Sequence, residues 1–267
     1  MKTPLGYTLR RDIADPLLAG HFAPEFLEIA PENWIGLGGI WKRKLDQLSE
    51  RFRFTAHGLS LSIGSPEPVN IEALKVIKQF LDDYNIDIYS EHLAFSSIDN
   101  AHMYESMPIP FTIKSLNHIS EKVRIAQEVL ERSLVLENVC YYILPESDMT
   151  ELQYIKELQQ ASKCGLLLDI SNVYVNAKNH GYCSQDFFRD YPFEHVQYLH
   201  LGSYDTNHSS IIFDSHDRPI EKNTLYDLLK IKDKIPSNTP ICLERESNFE
   251  PFDELVDEFM EVKNLLS

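Results

Sequence analysis

The chain has 267 residues, 43% of them hydrophobic and 25% charged, a composition that supports a packed core and excludes a disordered or low-complexity protein. Its formal net charge of −16 sets up a field that repels phosphate backbones and anionic membrane surfaces, so nucleic acid is not an expected partner. No window approaches the roughly 20 apolar residues of a membrane span, and the N-terminus MKTPLGYTLRRDIADPLL lacks a signal-peptide core; a soluble, cytoplasmic chain without membrane contact is expected.

Short apolar runs recur along the chain: LGYTL (5–9), FLEIA (26–30), FRFTA (52–56), IDIYS (86–90), SLVLE (133–137), GLLLD (165–169), VQYLH (196–200) and ICLER (241–245). Each reads as a strand, and the segments between them as helices. After the first run RDIADPLLAG allows only a short helix, and the gap after Ala30 has room for one. NIEALKVIKQFLDDY places Ile71, Leu74, Ile77, Leu81 and Tyr84 on one face behind Asn70 as N-cap. SLNHISEKVRIAQEVLER and ESDMTELQYIKELQQASK fill two further gaps, while the sixth unit offers only SQDFFRD. PFDELVDEFMEVKNLL ends the chain with a stripe of Phe252, Leu255, Val256, Phe259 and Met260.

Strands alternating with helices predict an α/β protein with a parallel sheet, and eight such units predict a (β/α)8 barrel of TIM type as one domain over residues 1–267. An open doubly wound sheet is the alternative. Cys140, Cys164, Cys183 and Cys242 are widely spaced without a C-x-x-C, and are expected as buried free thiols.

The third to eighth runs end in His57-Gly58, Glu91-His92, Glu137-Asn138, Asp169, His200 and Glu244-Arg245. In a (β/α)8 barrel the C-terminal strand ends surround the active site, so these groups would converge on one mouth. Helix capping does not account for them, because histidine and glutamate are not preferred caps. IIFDSHDRPI (211–220), between the seventh and eighth runs, adds Asp214 and His216. In an extended segment residues two apart share a face, as a chelate requires. On a loop, this pair should be the least firmly fixed of the ligands.

His57, His92, Glu137, Asp169, His200, Asp214, His216 and Glu244 make four imidazoles and four carboxylates, more than one ion can use. Two or three ions bridged by carboxylates are expected. With no thiolate at a strand end, the mixed N/O donor set points to iron, manganese or zinc.

The ordered motifs FLEIAPENWIGLGG, AHGLSLSIGS, YSEHLAFSS, LVLENV, LLLDISNVYVNAKNHG, YLHLGSYD, DSHDRPI and ICLERE span nearly the whole chain, which resembles the multinuclear non-haem iron-dependent oxidative enzymes, the methanobactin-biosynthesis-oxidase-like family. The resemblance implies a barrel with two or three irons, mixed Fe(II)/Fe(III), on those eight residues, with Asn172 in a further metal-adjacent position. It also implies dioxygen as co-substrate and a ribosomally made precursor peptide as substrate, modified at cysteine or, in some members, at aspartate or asparagine. A separate leader-binding partner protein is expected, since no such domain is recognisable in the chain. Asn138, Asp205 and Arg245 are expected as catalytic residues at the mouth, flanked by Glu32, Asn33 and Glu246, with His180 as a candidate channel residue.

Two other functions use comparable residues. One is a redox-neutral divalent-metal barrel enzyme, a sugar isomerase or an endonuclease-type phosphodiesterase, of which the net charge disfavours the second. The other is a metal-binding scaffold without turnover.

Overall fold

In the computed structural model, which describes residues 3–98, 101–144, 146–207 and 210–266, the eight apolar runs become eight parallel strands of a closed barrel. The two ends of the expected 1–267 domain lie outside the described residues. In chain order the barrel begins with β1 (Leu5–Thr8), β2 (Phe26–Ile29), β3 (Arg53–Gly58) and β4 (Tyr89–His92). A ribbon of β5 (Phe95–Ile98) and β6 (Ala101–Met107) follows, and β7 (Leu134–Glu137), β8 (Gly165–Asp169) and β9 (Val196–Leu201) resume the barrel. A second ribbon, β10 (Tyr204–Asp205) with β11 (Phe213–Asp214), precedes β12 (Ile241–Leu243), which closes the barrel against β1. Neither ribbon belongs to the eight apolar runs.

The helices are α1 (Ala14–Ala19), α2 (Gly39–Ser49), α3 (Ile71–Asp83), α4 (Ile113–Leu130), α5 (Glu151–Ser162), α6 (Ile170–His180), α7 (Ser184–Arg189), α8 (Lys222–Ile231) and α9 (Phe252–Leu265). Asn70 caps α3 as expected, its side chain accepting from the Ala73 N–H at 3.0 Å. Thr112 and Thr150 open α4 and α5 with reciprocal capping boxes. The sixth unit is fuller than expected, because α6 starts directly at the end of β8 with Asp169 as its N-cap. Seven residues of α6 are buried, several of them polar, so the helix shows no simple apolar stripe. Helix α8 was likewise not foreseen.

Strand alternation builds the barrel interior in layers. Phe26, Val135, Leu167, Tyr198 and Cys242 pack together as an apolar layer. Two residues further along each strand stand Glu28, Glu137, Asp169, His200 and Glu244, all buried. The same two-residue step that faces the core inward therefore delivers the polar layer above it. Three cysteines are buried, but Cys183, which precedes the short α7 in a surface turn, is exposed, a correction to the expected burial of all four. Among the described residues no helix is long and apolar enough to cross a membrane.

Candidate metal centre

The strand-end side chains meet in three overlapping groups. In the first, His57 Nε2 lies 3.2 Å from His92 Nε2 and 3.3 Å from Glu137 Oε2, and His92 Nε2 lies 3.5 Å from the same oxygen. In the second, Glu137, Asp169, His200 and Glu244 each offer one ligand atom, all within 4.8 Å of one another. His200 Nδ1 is 3.2 Å from Glu137 Oε1 and 3.1 Å from Glu244 Oε1. In the third, His216 Nδ1 is 3.6 Å from Glu244 Oε2, and His216 Nε2 is 2.7 Å from Asp214 Oδ1. Glu137 thus turns one oxygen to each of the first two groups, and Glu244 one to each of the last two.

Several of these atoms have no hydrogen-bond partner although they are buried: Asp169 Oδ2, Asp214 Oδ1, His216 Nε2 and Glu244 Oε2. Asp169 uses its other oxygen to cap α6, accepting from the Asn172 N–H at 2.8 Å. A buried polar atom left unpaired is costly; Asp214 Oδ1 and His216 Nε2 at least face each other at 2.7 Å, whereas Asp169 Oδ2 and Glu244 Oε2 call for a further partner. Metal cations fit that demand.

Charge points the same way. Burial, reinforced by Glu137, Glu244 and Asp214, holds the Asp169 carboxyl well above the usual carboxylate range. Burial works against charge on Glu244 too, but His200 and His216 outweigh it and pull that carboxyl down. For His200 and His216 burial favours the neutral ring, yet the surrounding carboxylates, Glu244 and Glu28 for the first and Asp214 and Glu244 for the second, raise both. His57 goes the other way: burial and the neighbouring His92 and His200 keep it neutral, the form that ligates metal. The mouth is a set of buried acceptors in need of positive charge.

Asp214 and His216 meet, but not by strand alternation. His216 has a left-handed φ of +47°, and the loop is anchored where Ser215 and His216 donate their N–H groups to the Ser203 carbonyl at 3.1 and 3.0 Å. His216 is 9% exposed, and these two bonds tie its loop to the end of β9. A Cβ on Gly202 would overlap the His216 ring, so only glycine lets the imidazole lie there.

The expected catalytic residues are placed differently. Asn138 spends both ends of its amide on the Asp169 backbone, donating to its carbonyl at 2.9 Å and accepting from its N–H at 3.0 Å. Arg245 turns to α9 and pairs with Glu258 at 3.1 Å. Asp205 sits on β10, 3.2 Å from Arg218. None of the three joins the ligand groups, and Asn138 and Arg245 have their polar groups engaged by the Asp169 backbone and by α9. Asn172 also stands just outside, accepting from the Cys140 thiol at 2.7 Å and donating to the Asn138 carbonyl. Glu32 accepts from the Leu59 and Ser60 N–H groups and so shapes the turn after His57, whereas Glu246 pairs with Arg10 near the surface. Asn33 offers its carbonyl to Arg11, and His180 stacks on Tyr141.

Two residues near the site escaped the sequence reading. Cys140 lies three positions beyond a strand end, where no periodicity marks it. Glu28 stands inside β2, its Oε2 2.8 Å from His200 Nε2. A carboxylate in the middle of the apolar run FLEIA, two residues after the inward-facing Phe26, was the available signal.

A model of the family described as RiPP precursor modification enzyme MbnB/TglH/ChrH matches residues 4–267. A UPF0276 protein of Shewanella sediminis is 40% identical over 259 residues, covering 97% of this chain and 92% of its own length. One from Pseudomonas aeruginosa is 37% identical over 261 residues, covering 97% and 91%. Among solved structures, endonuclease IV from Thermus thermophilus has a TM-score of 0.63 at 14% identity, covering 98% of each chain. D-Psicose 3-epimerase from Clostridium cellulolyticum has a TM-score of 0.63 at 12% identity, covering 99% of this chain and 97% of its own. At such identities the two structures establish the shared barrel fold alone.

Proposed function

The chain belongs to the MbnB/TglH/ChrH family of RiPP precursor modification enzymes, and from that premise we propose that it oxidises a side chain of a ribosomally made precursor peptide, with two or three irons and dioxygen. Cysteine is the side chain we put first, with aspartate and asparagine as alternatives, and a separate leader-binding protein is the partner we expect. The observation that supports the reading is the sharing of carboxylates between neighbouring groups: Glu137 turns one oxygen to His57 and His92 and the other to His200, and Glu244 turns one to His200 and the other to His216. Iron bound there would supply the one-electron chemistry with dioxygen that protein side chains lack.

The chain's own residues set the conditions. His57, His92 and Glu137 would form one donor group and Glu137, Asp169, His200 and Glu244 the next, with His216 beside them between Glu244 and Asp214. Asn138 and Asn172 lock the end of β8 to the end of β7 and so fix the direction of Asp169. His92, with 27% of its side chain exposed, opens the cluster to solvent on its side of the mouth. Near Asp214 the rim is apolar: the rings of Tyr142 and Phe213 meet at 5.2 Å, tilted by 41°, and Ile143 and Leu144 follow Tyr142 exposed. An extended peptide crossing this rim would bring a side chain to the cluster.

Anaerobic purification followed by metal analysis tests the centre, and mass spectrometry of a precursor peptide encoded beside this chain's gene tests the reaction. More than one iron per chain, oxygen consumption and a peptide mass change are expected. A single zinc, or peptide left unchanged by the iron-loaded protein and its partner under oxygen, would sink the proposal.

A further inference from the structure

Glu28 is 2% exposed, and the residue it touches, His200, is fully buried. The pair divides the imidazole's two nitrogens cleanly. Nε2 faces Glu28 Oε2 at 2.8 Å, on the barrel-interior side. Nδ1 faces Glu137 Oε1 and Glu244 Oε1 at 3.2 and 3.1 Å, on the side of the second donor group. Both nitrogens meet carboxylates, which only accept, but the Glu28 contact is the shorter and lies away from the donor cluster; with a metal on the Nδ1 side, the hydrogen of a neutral ring belongs on Nε2 and the lone pair on Nδ1. The remaining oxygen of Glu28 meets the Cys242 thiol, a weak donor, at 3.9 Å.

We propose that Glu28 is a positioning residue that fixes His200 in the tautomer with Nε2 protonated and Nδ1 directed at the metal held by Glu137, Asp169 and Glu244. The inference rests on the metal centre proposed above. A histidine ligand whose second ring nitrogen donates to a carboxylate is held in orientation and made a stronger donor, and loss of such a partner weakens metal affinity roughly 10–100-fold. Register explains why β2 supplies it. Phe26 and Glu28 take the same inward-facing places on β2 that Tyr198 and His200 take on β9, so the carboxylate arrives at the height of the ring. The rival role for Glu28 is that of a ligand itself, since Glu28, His57 and His200 also lie within reach of a single ion.

The test uses the full chain loaded with zinc, which needs neither oxygen nor peptide. Nitrogen NMR of ¹⁵N-histidine-labelled protein should find His200 with Nε2 protonated and Nδ1 metal-bound. Glu28→Gln keeps an oxygen that can accept from Nε2, and should preserve this signature and the metal count. Glu28→Ala should lose the signature and weaken zinc at that site roughly 10–100-fold. Metal bound through Nε2, loss of one metal equivalent in Glu28→Gln, or an unchanged signature in Glu28→Ala would each overturn the positioning role. A wild-type chain that takes up no zinc would instead overturn the metal centre itself, and this inference with it.

Discussion

Asp214 Oδ1 lies 2.7 Å from His216 Nε2, the ring nitrogen opposite the one that faces Glu244. In the proposed centre these two atoms would be ligands of one ion. His216→Ala should therefore lose about one metal equivalent per chain, and Asp214→Ala the same one, so that the double variant loses no more than either. Metal analysis of the three proteins decides it. Full metal content in His216→Ala would reduce DSHD to a polar loop.

Glu244 and Glu137 each serve two groups, and this should separate them from every terminal ligand. Either carboxylate replaced by alanine is expected to cost about two metal equivalents, against about one for His92→Ala, by the principle that ligand number and geometry set retention. The barrel should remain folded, because strand-end residues on this face do not build the core. Circular dichroism beside the metal count distinguishes loss of ligands from loss of fold.

Gly202→Ala places a methyl group into the His216 ring. Overpacking of this kind costs typically 1–3 kcal/mol, so a modest fall in the urea midpoint is expected, together with loss of the ion that Asp214 and His216 help to hold. If the variant kept its full metal content, the glycine would not be what admits the imidazole.

Glu151, in the first turn of α5, brings a pH dependence that has nothing to do with the metal ligands. Burial pushes its carboxyl up from 4.5 to about 8, only partly opposed by the hydrogen bond from Tyr141. The folded chain thus binds this proton more tightly than the unfolded chain. Its contribution to stability is full below pH 4.5, declines as the pH rises, and is gone above about pH 8. Glu151→Gln cannot titrate, so wild type should lose stability relative to the variant between pH 5 and 8, as read by thermal unfolding at both values. Parallel curves would place the carboxyl's pKa near its ordinary value.

Arg245→Ala should affect stability rather than metal content. The guanidinium, 3% exposed, pairs with the mostly buried Glu258 on α9. Breaking a buried pair costs roughly 3–5 kcal/mol, and the lower end applies because burial already raises the Glu258 carboxyl, which can take up a proton once its partner is gone. Urea unfolding measures the loss, and an unchanged midpoint with loss of iron would return Arg245 to the metal site.

The barrel and the clustering of most candidate ligands at its mouth were legible in the residues themselves, because both are written locally. Eight apolar runs mark eight strands, and the two-residue step from Val135 to Glu137, Leu167 to Asp169 and Tyr198 to His200 carries each strand from apolar layer to polar mouth. The family resemblance rested on the same short motifs. What no local pattern contains is who meets whom across the mouth. Glu28 finds His200 over a separation of 172 residues, and only the register of the closed barrel sets both at one height. Asn138 and Arg245 adjoin the mouth by position, but only the tertiary contacts with the Asp169 backbone and with α9 decide where their polar groups turn. Helix α6 was hidden for a related reason: it is buried by neighbours on several sides, so the contacts that stabilise it leave no single apolar face to read. Strand chemistry is a property of neighbours in sequence, whereas the direction of a buried carboxylate is decided by whichever donors the fold brings within about 3 Å of it.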